Sequence, residues 1–259
     1  MKIGLCASVG QASLLAEAGF DYIEENVQKW LEPESPEEVF FAKIVAIRDA
    51  ALPVRAANCF YPAAIKCTGP DVDMDRVLRY AATAFRRAKI SGIEFIVFGS
   101  GGARQVPDGF DPARAWEQFV AVLRGIAPLA QEHEVTVVIE PLNRKECNFI
   151  TTLAEGAAMV AAADHPQVRL LADIYHMRVN GEDPGDLVTY GQGLEHVHVA
   201  ELEGRLAPGM AGEDFGPYLR ALKEADYQGA ISFEAGWKPE TIADGLKGFR
   251  EQVRAAKLG

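Results

Sequence analysis

Eight stretches of this chain open as short apolar strands, and each is followed by a longer segment with helical periodicity. Strands that are apolar throughout and separated by helices are typical of a parallel sheet with helical crossovers. Eight such units fit one closed barrel, so the sequence predicts a single-domain α/β fold, a (β/α)8 barrel, over residues 1–259. The strand stretches are 2–8, 21–27, 54–60, 93–101, 137–146, 168–176, 194–201 and 230–237.

A doubly wound open sheet is the structural alternative. It would bind its ligand at a topological switch point, beside a phosphate-binding turn. The first turn from strand to helix reads CASVGQA and lacks the G-x-G-x-x-G pattern of such a site. The sequence therefore favours the barrel.

Capping residues predict where several helices begin and end. Ser35 is a candidate N-cap for a helix that starts at Pro36 and runs to about Leu52. Asp73 is expected to cap the next helix, and Gly92 to end it.

The composition of the chain limits the classes of molecule that it is expected to bind and the cellular compartment in which it is expected to work. The formal net charge of -11 and the pI near 5.0 argue against nucleic acid and anionic membranes, because both attract Lys and Arg. No stretch approaches the roughly 18 apolar residues of a membrane helix, and the N-terminus does not resemble a signal peptide. The four cysteines form no C-x-x-C pair, so no zinc ribbon or disulfide framework is indicated. We expect a cytoplasmic protein with a small-molecule partner.

Polar side chains end four consecutive predicted strands. The fifth stretch runs into Glu140 before Pro141 breaks it, and the next three carry Asp173, His198 and Glu234. The carboxyl ends of barrel strands meet at one mouth, so these side chains should converge. Three carboxylates and one imidazole suit Mn²⁺, Mg²⁺ or Co²⁺, with Zn²⁺ as an alternative. The sequence predicts one divalent metal ion bound by these four residues.

Simpler interpretations exist for several of these residues. A single strand-end carboxylate is often a helix N-cap or part of a rim salt bridge. His196 and His198 point to the same side of their strand, so His196 is expected to be a hydrogen-bonded interior residue. The loop 99–105, GSGGARQ, is either a flexible turn or a phosphate or carboxylate site with Arg104. Aromatic residues that follow strands could wall the pocket, Trp237 foremost, together with Trp30, Phe60 and Tyr61.

The motifs IEPLNRxE, DIYHM, HVHVAE and ISFEAGW resemble those of the xylose isomerase-like TIM-barrel superfamily, and especially its ketose 3-epimerases and hydroxypyruvate isomerases. The resemblance implies a manganese-type metal bound by Glu140, Asp173, His198 and Glu234. It also implies an enediolate intermediate, with Glu140 and Glu234 as the paired acid and base. Glu146 and His176 match residues that bind substrate hydroxyls.

One position departs from the pattern of the ketose 3-epimerases. Their arginine follows the metal histidine by six residues, whereas here Gly204 holds that position and Arg205 comes one residue later. Arg205 is the candidate to replace it as a substrate-binding residue. The family also implies a homo-oligomer, a dimer or tetramer.

The leading hypothesis is therefore a metal-dependent isomerase or epimerase of a small sugar or keto-sugar. The alternative is a metal-dependent lyase or dehydratase that acts on an inosose or 3-keto-glycoside at the same site. Phosphodiester cleavage, as in related endonuclease IV-type barrels, is disfavoured by five histidines in total and an acidic charge. A sugar-binding or scaffold barrel without turnover is the non-enzymatic alternative.

Overall fold

The computed structural model is a closed barrel of eight parallel strands in the order β1 to β8. It describes residues 1–258, without the side chain of Ala46. The predicted (β/α)8 fold is confirmed, and β8 closes on β1 through the pair Ile3 and Ile231. The strands are β1 Ile3–Cys6, β2 Tyr22–Asn26, β3 Val54–Asn58, β4 Phe95–Phe98, β5 Thr136–Ile139, β6 Val168–Asp173, β7 Leu194–Val199 and β8 Ala230–Phe233.

Helices occupy every connection between consecutive strands in residues 1–258. None of them combines the length and apolarity that a bilayer crossing requires. A 3₁₀ turn at Val9–Gln11 leads into the first helix. The α-helices are α1 Ala12–Ala18, α2 Val27–Trp30, α3 Glu37–Arg48, α4 Met74–Ser91, α5 Gly101–Arg104, α6 Pro112–Glu132, α7 Leu153–Ala163, α8 Ile174–Asn180, α9 Gly185–Tyr190, α10 Gly216–Glu224 and α11 Ile242–Ala255.

The predicted ends of α4 are confirmed, and those of α3 are wrong. The Asp73 carboxylate accepts the N–H of Arg76, and Gly92 has the left-handed conformation (φ 76°) that ends the helix. At α3, Pro36 is the N-cap and Ser35 makes no cap; the carbonyl of Ser35 instead accepts from the buried Arg87 at 2.7 Å. The helix also stops at Arg48, short of Leu52.

The interior of the barrel changes character along its axis. Near the amino ends of the strands, apolar side chains fill it, including Tyr22, Phe95 and Ala230. Further along the same strands the inward positions are buried charged residues, among them Glu24 and His198. The apolar layer supports the barrel, and the charged layer lies at the carboxyl mouth, where barrel sites form.

Arg104 joins the ends of two strands rather than facing solvent. Its side chain is fully buried, and its guanidinium donates to the carbonyls of Phe98 (3.2 Å), Glu140 (2.7 Å) and Ile150 (3.4 Å). The interpretation of Arg104 as a phosphate- or carboxylate-binding residue is therefore wrong. Its hydrogen bonds fix the backbone from which the Glu140 side chain projects.

We predict that Arg104→Met destabilises the fold by about 3 kcal/mol, because it leaves the buried carbonyl of Glu140 without its donor and removes one of two donors from the carbonyls of Phe98 and Ile150. Urea unfolding monitored by circular dichroism measures the loss. Arg114→Met, a change at an exposed position near the start of α6, is the control and should have little effect. Equal stability of the two variants would contradict the role of Arg104.

Candidate metal centre and active site

Acidic residues from three strand ends meet in one buried cluster. Glu140, Asp173, His176 and Glu234 each offer a ligand atom, and these atoms lie within 4.8 Å of one another. Three of the four predicted ligands thus converge, with His176 beside them. Packed this closely and with little exposure, the carboxylates repel one another unless positive charge lies between them.

Asp173 both caps a helix and points into the cluster. Its Oδ1 accepts the N–H groups of Tyr175 (2.7 Å) and His176 (3.2 Å) at the start of α8. Its Oδ2 is buried and has no hydrogen-bond partner within the described part of the chain. The N-cap interpretation and the ligand interpretation therefore apply to different oxygens of the same carboxylate.

His176 faces the cluster as a hydrogen-bond donor. The Asn143 Oδ1 accepts the backbone N–H of Lys145, so its Nδ2 donates to Glu146 Oε1 and to His176 Nδ1, both at 2.8 Å. A neutral His176 then carries its proton on Nε2, which is buried, has no partner among the described residues and lies 3.5 Å from Asp173 Oδ2. This geometry suits a donor to a substrate oxygen better than a metal ligand.

His198 directs one ring nitrogen at the carboxylate cluster. Its Nδ1 lies 3.1 Å from Glu140 Oε1 and 3.8 Å from Glu234 Oε2. Its Nε2 lies 2.9 Å from the buried carboxylate of Glu24. His196 is interior, as predicted, and binds the same carboxylate at 2.9 Å.

The crowding of charge perturbs the pKa values of the central groups. Burial and the neighbouring Glu140 carboxylate raise the pKa of Glu234 to about 8. Burial acts against protonation of His198, but the carboxylates of Glu24 and Glu234 outweigh it and raise the pKa of the imidazole well above its usual value. Both shifts have the same physical cause, which is the close packing of negative charge in a buried cluster.

Arg205 reaches the cluster despite its shifted position in the sequence. Its guanidinium pairs with Glu234, lies 3.7 Å from Asp173 Oδ2 and 3.4 Å from Glu146 Oε1, and stacks 4.7 Å from the centre of the Tyr175 ring. Burial opposes the charge of Arg205, but the carboxylates around it outweigh this and raise its pKa further. The extra residue in the loop has not removed the guanidinium from the site.

Two carboxylates hold the loop 201–213 that carries Arg205. The fully buried Glu201 accepts backbone N–H groups from Gly209 (2.8 Å), Gly212 (3.0 Å), Glu213 (3.3 Å) and Ala211. Glu213 in turn accepts the N–H groups of Leu202 and Glu203 and pairs with Arg178. These hydrogen bonds fix the backbone of the loop, and Ala207 anchors it in the apolar core.

A cavity of about 340 Å³ opens over the cluster, with Glu140, Glu146, His176, Arg205 and Glu234 among its lining residues. Tyr61 lines it as well. The other aromatic residues considered from the sequence do not: Trp30 and Phe60 lie in the core outside the barrel, and Trp237 packs half-buried against the layer around β1 and β8. A substrate contact of Trp237 stays a prediction.

A second cavity of about 290 Å³ adjoins the first and shares Cys59 with it. Cys6 and Cys59 lie half-buried at its wall rather than in the core, unlike the fully enclosed Cys67. Asn58, which also lines this cavity, donates to Glu234 Oε1 at 3.1 Å. Asn58 and Glu24 were both missed from the sequence.

Gly99 makes room for a ligand side chain. A Cβ atom at this position would lie 2.0 Å from Glu140 Oε2. Gly102 likewise leaves room for Ala63, because a Cβ atom added at Gly102 would lie 2.8 Å from the Cβ of Ala63. Gly99 therefore allows close packing against Glu140, and Gly102 allows close packing against Ala63.

The residues present fit a divalent cation. The donors are carboxylate oxygens and one imidazole nitrogen, which suit a hard or borderline ion. Asp173 Oδ2 is buried without a hydrogen-bond partner among the described residues, and His198 Nδ1 faces two carboxylates, so a cation would satisfy all of these atoms together. Glu140, Asp173, His198 and Glu234 are the residues that would hold it.

Gly99→Ala is predicted to weaken metal binding by at least about tenfold, because the methyl group displaces Glu140 from the cluster, and a misplaced ligand lowers affinity by this order. Competition with a fluorescent chelator measures the affinity. The matched control is Gly248→Ala in α11, where a Cβ would meet nothing within 4 Å. Equal affinities of the two variants would contradict the close-packing argument.

Metal affinity is predicted to rise with pH through the mildly acidic and neutral range. Glu234 and His198 both have raised pKa values and must lose protons before they can bind an ion, so binding releases protons. Thermal unfolding with Mn²⁺ or Zn²⁺ at several pH values tests this. Stabilisation should reach about 2.7 kcal/mol at a free ion concentration about 100 times Kd. A chelator should reverse it, and a shift that is independent of pH would contradict the proton release.

Comparison with known proteins places the chain in a family. Residues 12–253 match the profile of the family described as xylose isomerase-like TIM barrel. Over 193 residues the chain is 29% identical to the D-psicose 3-epimerase of Agrobacterium fabrum, covering 71% of this chain and 66% of that protein. Over 126 residues it is 29% identical to the 3-dehydro-D-guloside 4-epimerase of Escherichia coli, covering 48% of each. Less than two thirds of either relative's length is matched.

A solved structure shows the same fold over nearly the whole chain. The D-psicose 3-epimerase of Clostridium cellulolyticum, determined with D-tagatose, superposes with a TM-score of 0.80 at 20% identity, covering 99% of this chain and 97% of that one. With the profile match over residues 12–253, the chain belongs to the xylose isomerase-like TIM-barrel family.

Proposed function

We propose that this protein is a divalent-metal-dependent epimerase or isomerase of a small ketose or keto-sugar. Several of the relatives that it matches are sugar epimerases, and the cavity over the acidic cluster is of the size and polarity that a small hydroxylated substrate needs. At about 340 Å³ the cavity is near the lower end of the range of roughly 300–1,000 Å³ for ligand pockets.

The observation that carries the proposal is the pair of carboxylates from β5 and β8 in one cavity. Glu140 and Glu234 lie near the same imidazole nitrogen of His198, at 3.1 Å and 3.8 Å, and both line the space above it. Epimerisation beside a carbonyl needs one base to remove a proton and a second acid to return it on the opposite face. Because Glu140 and Glu234 line one cavity, they are our candidates for this base and acid.

The remaining polar residues suit the binding of hydroxyl groups. His176 Nε2 and the Arg205 guanidinium are donors aimed at the cavity, and Glu146 offers carboxylate oxygens. A divalent ion held by Glu140, Asp173, His198 and Glu234 would supply charge stabilisation for the enediolate. The carboxylates then move the proton, while His176, Glu146 and Arg205 hold the substrate chain.

The test is hydrogen exchange between substrate and solvent, followed by NMR in heavy water. Metal-loaded protein is incubated with a panel of ketoses, inososes, 3-keto-glycosides and hydroxypyruvate. We expect exchange of one carbon-bound hydrogen with formation of an epimer or isomer. Glu140→Gln and Glu234→Gln should each slow exchange by about 10² to 10⁴, the usual contribution of a positioned acid or base.

Glu94→Gln is the matched control, because Glu94 lies just before β4 at the opposite end of the barrel and pairs only with Arg55. Its exchange rate should equal that of the unmodified protein. Exchange with loss of water or an aglycone would instead identify the lyase or dehydratase alternative. Undiminished exchange in both site variants would refute the assignment of the two carboxylates.

A further inference from the structure

Glu24 is a buried carboxylate at the centre of the barrel that the proposed reaction does not use. It lies on β2 and is only 1% exposed. Its Oε1 lies 2.9 Å from His198 Nε2, and its Oε2 lies 2.9 Å from His196 Nε2. Both oxygens are thus engaged by histidines of β7, across the interior from β2.

We propose that Glu24 is a positioning residue that selects the nitrogen with which His198 binds the metal ion. A carboxylate can only accept hydrogen bonds, so the proton of His198 is held on Nε2. When the ring is neutral, the lone pair of Nδ1 is therefore directed at the space between Glu140 and Glu234, at 3.1 Å and 3.8 Å from their oxygens. This inference rests on the metal site of the proposed function and adds how one ligand is oriented.

The orientation of Glu24 is fixed from behind by a chain of hydrogen bonds. His196 Nε2 also lies 3.3 Å from Ser232 Oγ, which bonds to the hydroxyl of Tyr22 at 2.8 Å. The His196 ring is parallel to the Phe95 ring, with 5.9 Å between their centres. These contacts hold the second oxygen of Glu24, so the carboxylate cannot rotate away from His198. The His198 ring is therefore oriented before a metal ion binds, which favours metal binding.

A direct metal-binding role for Glu24 fits less well. Glu24, Cys6 and His198 do offer ligand atoms within 4.8 Å of one another. However, a metal ion there would have to displace the N–H groups that both Glu24 oxygens accept, and it would remove the support of His198. Carboxylates behind a metal-binding histidine commonly fix its ring in this way.

The first experiment compares Glu24→Gln with Glu25→Gln. A glutamine offers one acceptor and one NH₂ group, so it cannot accept from both histidines, and one ring must turn or move its proton. We expect Glu24→Gln to weaken Zn²⁺ or Mn²⁺ binding about 10- to 100-fold in a chelator competition. Glu25 is the next residue on β2, is also buried and accepts the backbone N–H groups of Val9 and Asn26, so Glu25→Gln should bind as the unmodified protein does.

The second experiment needs no variant and covers the case in which Glu24→Gln does not fold. Histidine-labelled protein loaded with ¹¹³Cd²⁺ should show metal coupling to Nδ1 of His198 and a protected proton on its Nε2. Coupling to Nε2, or an unchanged affinity in folded Glu24→Gln, would overturn the proposal. Both readouts are independent of turnover, so an inactive protein with Nδ1 coupling would refute the proposed reaction and still support the role of Glu24.

Discussion

Repulsion among buried carboxylates governs the organisation of the barrel mouth. Four of them, on or just after β2, β5, β6 and β8, lie where little water screens their charge. Polar groups of the surrounding strands and helices hold them in place. Glu24 accepts from the two histidines of β7, Asp173 from the first turn of α8, and Glu234 from Arg205 and Asn58, while Glu140 lies 3.1 Å from His198 Nδ1. Because these polar groups also orient the carboxylates, the charges that oppose folding are held in the arrangement that the proposed chemistry requires.

The sequence was sufficient to predict the barrel and the meeting of its strand ends. Few folds accommodate eight apolar strands that alternate with helices in a chain of this length. In a closed parallel barrel, the residues after successive strands must converge. Glu140, Asp173 and Glu234 therefore met as expected, and His198 lies beside them. Arg205 also lies at this cluster, although it follows His198 by seven residues and the family arginine follows by six.

What the sequence could not supply were contacts that depend on tertiary geometry. Glu24 and Glu25 are adjacent on β2, point to opposite sides and are both buried, so no pattern shows which one faces the barrel interior. Arg104 looked like a residue for binding anions, because a glycine-rich loop and an arginine suit both that role and the capping of strand-end carbonyls. Ser35 has the right residue type for a helix cap, but the helix begins one residue later, so that Pro36 holds the N-cap position and no side chain caps it.

The loop that carries Arg205 owes its shape to main-chain hydrogen bonds with Glu201 and Glu213. Its exposed side chains, such as Leu202 and Glu203, contribute little to that shape. Evolution can therefore replace them one at a time while the guanidinium keeps its position over the acidic cluster. The rim of the cavity can diversify in this way without disturbing the charges beneath it, so new substrates become accessible to the barrel through small steps.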